Sequence, residues 1–286
     1  MTRVEAITDE RLIERYRGAL LQSTLLGSCP AIRHGITGRL PGIEPADGNI
    51  GYSAPRDREA AWRERRRWSR AAGIDPMAIS TVHQVHGREV IGIGVDRRGQ
   101  GGPLGTTSLG KADAVMTGEP GVAVMTLHAD CLPIILADPE RPVVAAIHAG
   151  WRGTVADVVG ATVSAMVREY GARTERIIAL IGPGMRSCCY EVGDEVVEAW
   201  RGAVGDVSEI ALSPGPRRWH FDLALANRYL LDRAGIAAAN IDDQAFCTRC
   251  HDDRWFSHRS QGPDTGRFGA MVGIAPATAE EAESWG

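Results

Sequence analysis

The chain has 286 residues, 44% of them hydrophobic and 24% charged, with a formal net charge of -4 and a sequence pI near 6.1. That length supports one large domain or two modest ones, and the acidic balance argues against nucleic acid as a partner although 31 of the 32 basic residues are arginine. Met1 to Arg17 is charged throughout and no run reaches the roughly 18 apolar residues of a membrane span, so the expectation is a cytoplasmic protein without a membrane partner; its six cysteines are too few for a disulfide scaffold.

In chain order, Thr8 to Leu26 has helical periodicity, with Leu12, Ile13, Tyr16 and Leu20 on one side. Residues 1–30 therefore read as an N-terminal helical appendage to a single domain over 31–286. Arg33 to Ala54 reads as loop. Arg56 to Ala72 reads as a second helix, with Arg63, Arg65, Arg66, Arg67 and Arg70 on a solvated face and Trp62 and Trp68 turned inward. Short β-rich runs follow at Ile79 to Val95, Ala112 to Thr117, Val122 to His128, Pro133 to Ala137 and Val143 to Ile147. Between them, Gly105 to Lys111 falls short of a P-loop because Ala112 replaces the Ser/Thr that holds magnesium, and Gly92-Ile-Gly94 lacks the third glycine of a dinucleotide fingerprint. Helical patterns return at Gly153 to Tyr170, Gly193 to Val204 and Asp222 to Ala234, with a buried strand at Ile177 to Ile181. Gln244 to Thr248, Trp255 to Arg259 and Phe268 to Ile274 read as closing strands before an Ala/Glu-rich end. Strands bunched around helices, without strict alternation, predict an α+β fold with a mixed β-sheet core and flanking helices.

Three strand ends carry metal-capable side chains: Gln84-Val-His86-Gly87, His128-Ala-Asp130-Cys131 and His148-Ala-Gly150-Trp-Arg152. Together they suggest a site of imidazole, thiolate and imidazole with a vacant fourth position, a set suited to zinc, with copper as the alternative. His83 and His86 point to opposite faces of an extended strand, and His86 is the better ligand, with Gln84 on its face. Gly150 to Thr154 precedes a helix, so its free N–H groups with Arg152 suggest an anion pocket. Asp130 is the adjacent carboxylate for proton transfer, or else a turn residue capping backbone N–H groups. Cys247-Thr-Arg-Cys250 is half of a structural zinc pattern that Cys188 and Cys189 could complete, but the reading preferred for that adjacent pair is packing. The base-editing type of zinc deaminase is not matched, since no His-x-Glu lies upstream.

QVHG at 84–87, ADA at 112–114, HADCLP at 128–133, HAGWRG at 148–153, IGPG and CCYEVGDEV within 181–196, and the late SHR and TGR occur in an order that resembles one family. It is the YfiH-type family, called laccase-domain or multicopper polyphenol oxidase proteins and later described as purine nucleoside phosphorylases. The likeness runs from about Gly35 to Gly273. It implies a metal on His86, Cys131 and His148, a fold similar to cysteine-hydrolase-like toxins, and action on adenosine, inosine, guanosine and methylthioadenosine by phosphorolysis or deamination. It also matches GNIG at 48–51 to an Asn-rich family element. His128, His258 and Gly38 to Gly42 depart from the family's usual Thr, Tyr and Arg-Gly-Gly-Val-Ser, which bears on substrate preference.

The expectation is thus a metal-dependent purine nucleoside phosphorylase with adenosine deaminase and methylthioadenosine phosphorylase activity, its partners purine nucleosides and phosphate. Asp130 and Arg152 are its expected catalytic residues, and Gln84, Asn49 and Arg259 are expected to bind substrate. Two rivals are a copper-dependent polyphenol oxidase, using Met125 or Met185 as a distant ligand, and a non-catalytic metal-stabilised protein of cell-wall maintenance.

Overall fold

The computed structural model describes residues 3–277, and the Ala/Glu-rich end falls outside them. The first elements are α1 (Arg3–Ala19), α2 (Thr24–Gly27), β1 (Ile32–Ile36), α3 (Arg58–Ala71), β2 (Ile79–Thr81), β3 (Val90–Ile93), β4 (Ala114–Thr117), β5 (Ala123–His128), β6 (Leu132–Asp138) and β7 (Val143–Ala149). There follow α4 (Trp151–Val155), α5 (Val158–Tyr170), β8 (Ile178–Ile181), β9 (Glu191–Val192), α6 (Asp194–Val204), β10 (Leu212–Pro214), β11 (Trp219–Phe221), α7 (Leu223–Arg233), β12 (Ile241–Asp243), α8 (His258–Gln261) and β13 (Phe268–Ile274).

Strands β6 and β7 are apolar along almost their whole length and every residue in them is buried, as expected of strands covered on both faces. They sit at the centre of a six-stranded sheet, β12-β8-β6-β7-β4-β3, which lies over a four-stranded sheet, β1-β13-β5-β2; a small third sheet has the order β10-β11-β9. Parallel β3/β4 and β12/β8 pairs beside antiparallel β6/β7 make the large sheet mixed. Alternation along the strands divides the core. Ile134, Leu136, Val143 and Ile147 face α5 and α7, meeting Val163, Met166 and Leu230. Ile135, Ala137, Val144 and Ala146 face the second sheet, meeting Val124, Ala270 and Val272. On that sheet's far side Met125 and Met271 pack with Trp68 of α3 and Tyr16 of α1. The molecule is therefore helices, sheet, sheet and helices, an α+β fold with mixed sheets.

Helix α3 starts at Asp57, whose carboxylate accepts from the N–H groups of Glu59 and Ala60. Trp68 faces inward as expected and donates to the Gly48 carbonyl, 3.0 Å away. Arg65 departs from the solvated face predicted for it, being only 2% exposed. Its guanidinium donates to the carbonyls of Ile50 and Gly102, each at 2.7 Å, and lies 3.7 Å from the centre of the Tyr52 ring. A ring of carbonyls and an aromatic face lets that charge leave water.

Five expected helices and strands differ, each for a local reason. The helix predicted over Thr8 to Leu26 is two helices, because Leu21 bridges to Ile36 and Ser23 then caps α2. The run from Ile79 to Val95 is two strands in different sheets. Asp157 adopts a left-handed conformation (φ 61°) and caps α5 through the Gly160 N–H, which separates α5 from α4. Gln244 to Thr248 supplies only a Cys247 bridge to Gly184, and Trp255 to Arg259 ends in α8, which Ser257 caps. Among the described residues no helix is long and apolar enough to cross a membrane.

Candidate functional site

The chain passes from the four-stranded to the six-stranded sheet twice, once between β2 and β3 and once between β5 and β6. The first crossing carries His86 and the second Cys131, while His148 lies near the end of β7, where the chain turns into α4. The side-chain donor atoms of these three residues all lie within 4.8 Å of one another. The two imidazole rings meet edge to face with centroids 4.9 Å apart. Gly150 is what makes room for the group, since a β-carbon there would stand 2.9 Å from Cys131 Sγ and 3.0 Å from His86 Cδ2.

Asp113, immediately before β4, organises the group from beneath and is fully buried. One carboxylate oxygen accepts from the N–H groups of Val85 (3.1 Å) and Gly87 (2.6 Å); the other accepts from the His86 N–H (2.9 Å) and from His148 Nδ1 (2.8 Å). Those bonds hold the crossing where His86 takes a positive φ of 60°, a conformation that β-carbon-bearing residues seldom adopt. They also fix the His148 tautomer and leave its Nε2 for a ligand, the support that metal-bound imidazoles commonly receive. Burial works against Asp113's charge, but hydrogen bonds from His148 and Gly87 keep its pKa below the ordinary carboxylate value. Only the ADA run pointed to this residue; the fuller signal is an acid at the mouth of an apolar strand, where a carboxylate must find partners.

Burial would push the Cys131 thiol up, yet the charge and hydrogen bond of His148, joined by His86, bring it down to about 6. Burial likewise opposes charge on His148, and Cys131 with Asp113 raises it to about 9. The arrangement thus favours thiolate, the form that binds metal. His128 stands behind the group. Its Nε2 is 2.9 Å from Thr126 Oγ1 and its Nδ1 is 3.1 Å from the Cys131 carbonyl, while burial keeps the ring neutral.

The group opens into a cavity of about 590 Å³ that is also lined by Gln84, Asp130, Met185, Tyr190, Arg259 and Arg267. The other expected site residues fall at different distances from it. Gln84 lines the cavity, but its amide pairs at both ends with the Leu127 backbone, each bond 2.8 Å. Asp130, at φ 89°, accepts from Thr248 Oγ1 and Ser257 Oγ at 2.7 Å and from the Arg259 N–H at 2.6 Å, which is the turn-capping alternative in fuller form. Arg259 lines the cavity with its guanidinium 5.3 Å from the Tyr190 ring centre. Arg152 is exposed, lies 4.3 Å over the Trp151 ring and does not line the cavity. Asn49 is directed elsewhere: its Oδ1 accepts from the Gly51 and Arg267 N–H groups, and it borders a separate cleft of about 490 Å³. His83, set aside because of strand alternation, also lines the cavity, since a crossing loop has no alternation. Tyr190, His258 and Arg267 line it too; each lies in a motif of the family resemblance, CCYEVGDEV, SHR and TGR, but none was expected to bind substrate. Cys188 and Cys189, expected to be packing residues, instead meet Cys247 and Cys250 outside this cavity.

Residues 33–275 match the family model described as multi-copper polyphenol oxidoreductase laccase. The chain is 43% identical over 156 residues to an adenosine deaminase, RL5, from an unknown prokaryotic organism, covering 54% of this chain and 59% of that one. It is 36% identical over 248 residues to a purine nucleoside phosphorylase of Deinococcus radiodurans, covering 85% and 90%. Two mammalian purine nucleoside phosphorylases are longer proteins, of which the chain spans 60% and 54%, and the match to the deaminase likewise spans only 59% of that protein. The crystal structure of YlmD from Geobacillus stearothermophilus superposes with a TM-score of 0.82 at 29% identity, covering 88% of this chain and 94% of that one.

Proposed function

The chain belongs to the multi-copper polyphenol oxidoreductase laccase family, and we propose that it is a metal-dependent purine nucleoside phosphorylase that also accepts methylthioadenosine and deaminates adenosine. The observation that carries this reading is the thiolate-and-imidazole group on the floor of a cavity whose walls hold Arg259 and Arg267. Relatives named as a purine nucleoside phosphorylase and an adenosine deaminase support the substrate class.

His86, Cys131 and His148 suit zinc, with copper as the alternative, because they offer two imidazoles and one favoured thiolate around a gap that Gly150 keeps open. Such an ion supplies Lewis-acid charge beside the substrate. In phosphorolysis a phosphate oxygen bonds to the sugar C1′ as the bond to the purine nitrogen breaks and the electron pair leaves on the base. Positioned anion and neutralised leaving group are therefore the two requirements. Arg259 and Arg267 bind phosphate, a task matched by guanidinium geometry, and Arg152 lies outside the cavity that needs it. His83 and His258, both facing the cavity, are the imidazoles available to protonate the departing base. Asp130, its oxygens occupied by three donors, acts by fixing the start of α8 and hence Arg259. Gln84 acts by tying the His86 crossing to β5.

One observation favours a second reading. Met185 lines the same cavity, so with copper in the site a thioether stands nearby, as a laccase-like oxidation of polyphenols would use; Met125 is buried instead with Trp68. Chromatography after incubation of metal-quantified protein with adenosine, inosine or methylthioadenosine, with and without phosphate, tests the proposal. Phosphate-dependent release of free purine, absent in Cys131→Ala, supports it, and inosine from adenosine supports the deaminase activity. Turnover of a polyphenol by the copper-loaded protein, with no nucleoside product, replaces it with the second reading.

A further inference from the structure

Outside the cavity, four cysteines from two distant stretches of chain converge. Cys188 and Cys189 lie on the loop after β8, and Cys247 and Cys250 on the loop after β12. Strands β8 and β12 are parallel neighbours, and a Gly184–Cys247 bridge carries their pairing into these loops. Cys250 Sγ is 3.6 Å from Cys188 Sγ and 3.4 Å from Cys189 Sγ, and all four sulfurs lie within 4.8 Å of one another. A tetrahedral zinc with Zn–S bonds of about 2.3 Å spaces its sulfurs about 3.8 Å apart, which is the scale observed. A disulfide selects one partner at bonding distance, whereas Cys250 stands almost equally far from two sulfurs.

We propose that Cys188, Cys189, Cys247 and Cys250 form a second, structural metal site that binds a zinc ion through four thiolates and clamps together the two loops that wall the cavity. Binding releases the thiol protons to solvent and needs no oxidant. The loop after β8 carries Met185 and Tyr190 into the cavity wall. The loop after β12 carries Thr248, which bonds Asp130, and leads on to Ser257 and Arg259. The clamp therefore sets the cavity's shape without touching its contents, and it holds whether or not the nucleoside reading does.

The test uses the full chain with Cys131→Ser and His148→Ala combined, so that the four-cysteine group is the remaining thiolate site. Elemental analysis should find one zinc per chain, against two in the unsubstituted protein, and X-ray absorption should show four sulfurs at about 2.3 Å. Adding Cys250→Ser should remove that zinc and accelerate proteolysis within the two loops. If the double variant does not fold, absorption on the unsubstituted protein decides: the metal average should contain between two and three sulfurs, and a value near one overturns the proposal. A folded double variant without metal, a metal bound mainly by nitrogen or oxygen, or a Cys–Cys crosslink found by non-reducing mass spectrometry overturns it as well.

Discussion

Replacing Asp113 with asparagine should separate preorganisation from ligation at the three-residue group. The substitution keeps the shape of the side chain but converts one oxygen into an N–H donor. If the new amide nitrogen faces Val85 and Gly87, two backbone N–H groups lose their acceptor; if it faces the other way, His86 N–H and His148 Nδ1 lose theirs. Each hydrogen bond to a charged group contributes about 1.5–3 kcal/mol, so at least two such losses at a fully buried site predict about 3–6 kcal/mol of destabilisation. That is a large share of the roughly 5–15 kcal/mol that holds a typical domain folded. Zinc affinity should also fall about 10–100-fold, because the acceptor that sets the His148 tautomer is either lost or weakened from a carboxylate to a neutral amide oxygen. Guanidinium unfolding of the metal-free protein reads the first effect, and competition with a chromophoric chelator reads the second. An Asp113→Asn protein that matches the unsubstituted chain in both midpoint and affinity would refute the reasoning.

Two further outcomes follow from the geometry. Gly150→Ala places a β-carbon against Cys131 Sγ and His86 Cδ2; its circular dichroism should be unchanged while elemental analysis shows the first metal site emptied, and full metal retention would contradict the close approach. Stability should also fall as pH drops from about 6.5 towards 4, because His34 Nε2 accepts the Ser23 N–H and burial lowers its pKa to about 4. A folded-state value below the unfolded value of about 6.5 means stability present above that pH and lost below it, about 3 kcal/mol over the range. Urea titrations from pH 7 to pH 4 should show this slope reduced in His34→Gln, and an equal slope in both proteins would remove His34 as its cause.

The α+β class was legible because its signal is the order of elements: short β-rich runs such as Pro133 to Ala137 and Val143 to Ile147 bunch before and after the helical patterns without alternating strictly with them. His86, Cys131 and His148 were legible as a group because they sit at strand ends, where rigid backbone projects side chains together. The pocket wall was not, since Arg267 and Tyr190 lie in motifs of the resemblance, TGR and CCYEVGDEV, but reach the cavity through loops whose paths depend on tertiary pairing. Arg65 illustrates the same limit: among closely spaced arginines on one helix, only the carbonyls of Ile50, Gly101 and Gly102 pick out the one that is buried. Asn49, which matched a family element, shows what such a match leaves open, for its side-chain oxygen accepts from the backbone N–H groups of Gly51 and Arg267.

The metal-capable residues and the two cavity arginines come from different parts of the chain. His86, Cys131 and His148 leave the sheets between β2 and α4, whereas Arg259 and Arg267 come after β12. His83, Gln84 and Asp130 line the cavity from the earlier part, so each part of the chain supplies both floor and wall or wall alone, and neither carries a complete site. A chimera joined after α5 would therefore read out how well the halves of two parents fit one another across a shared cavity.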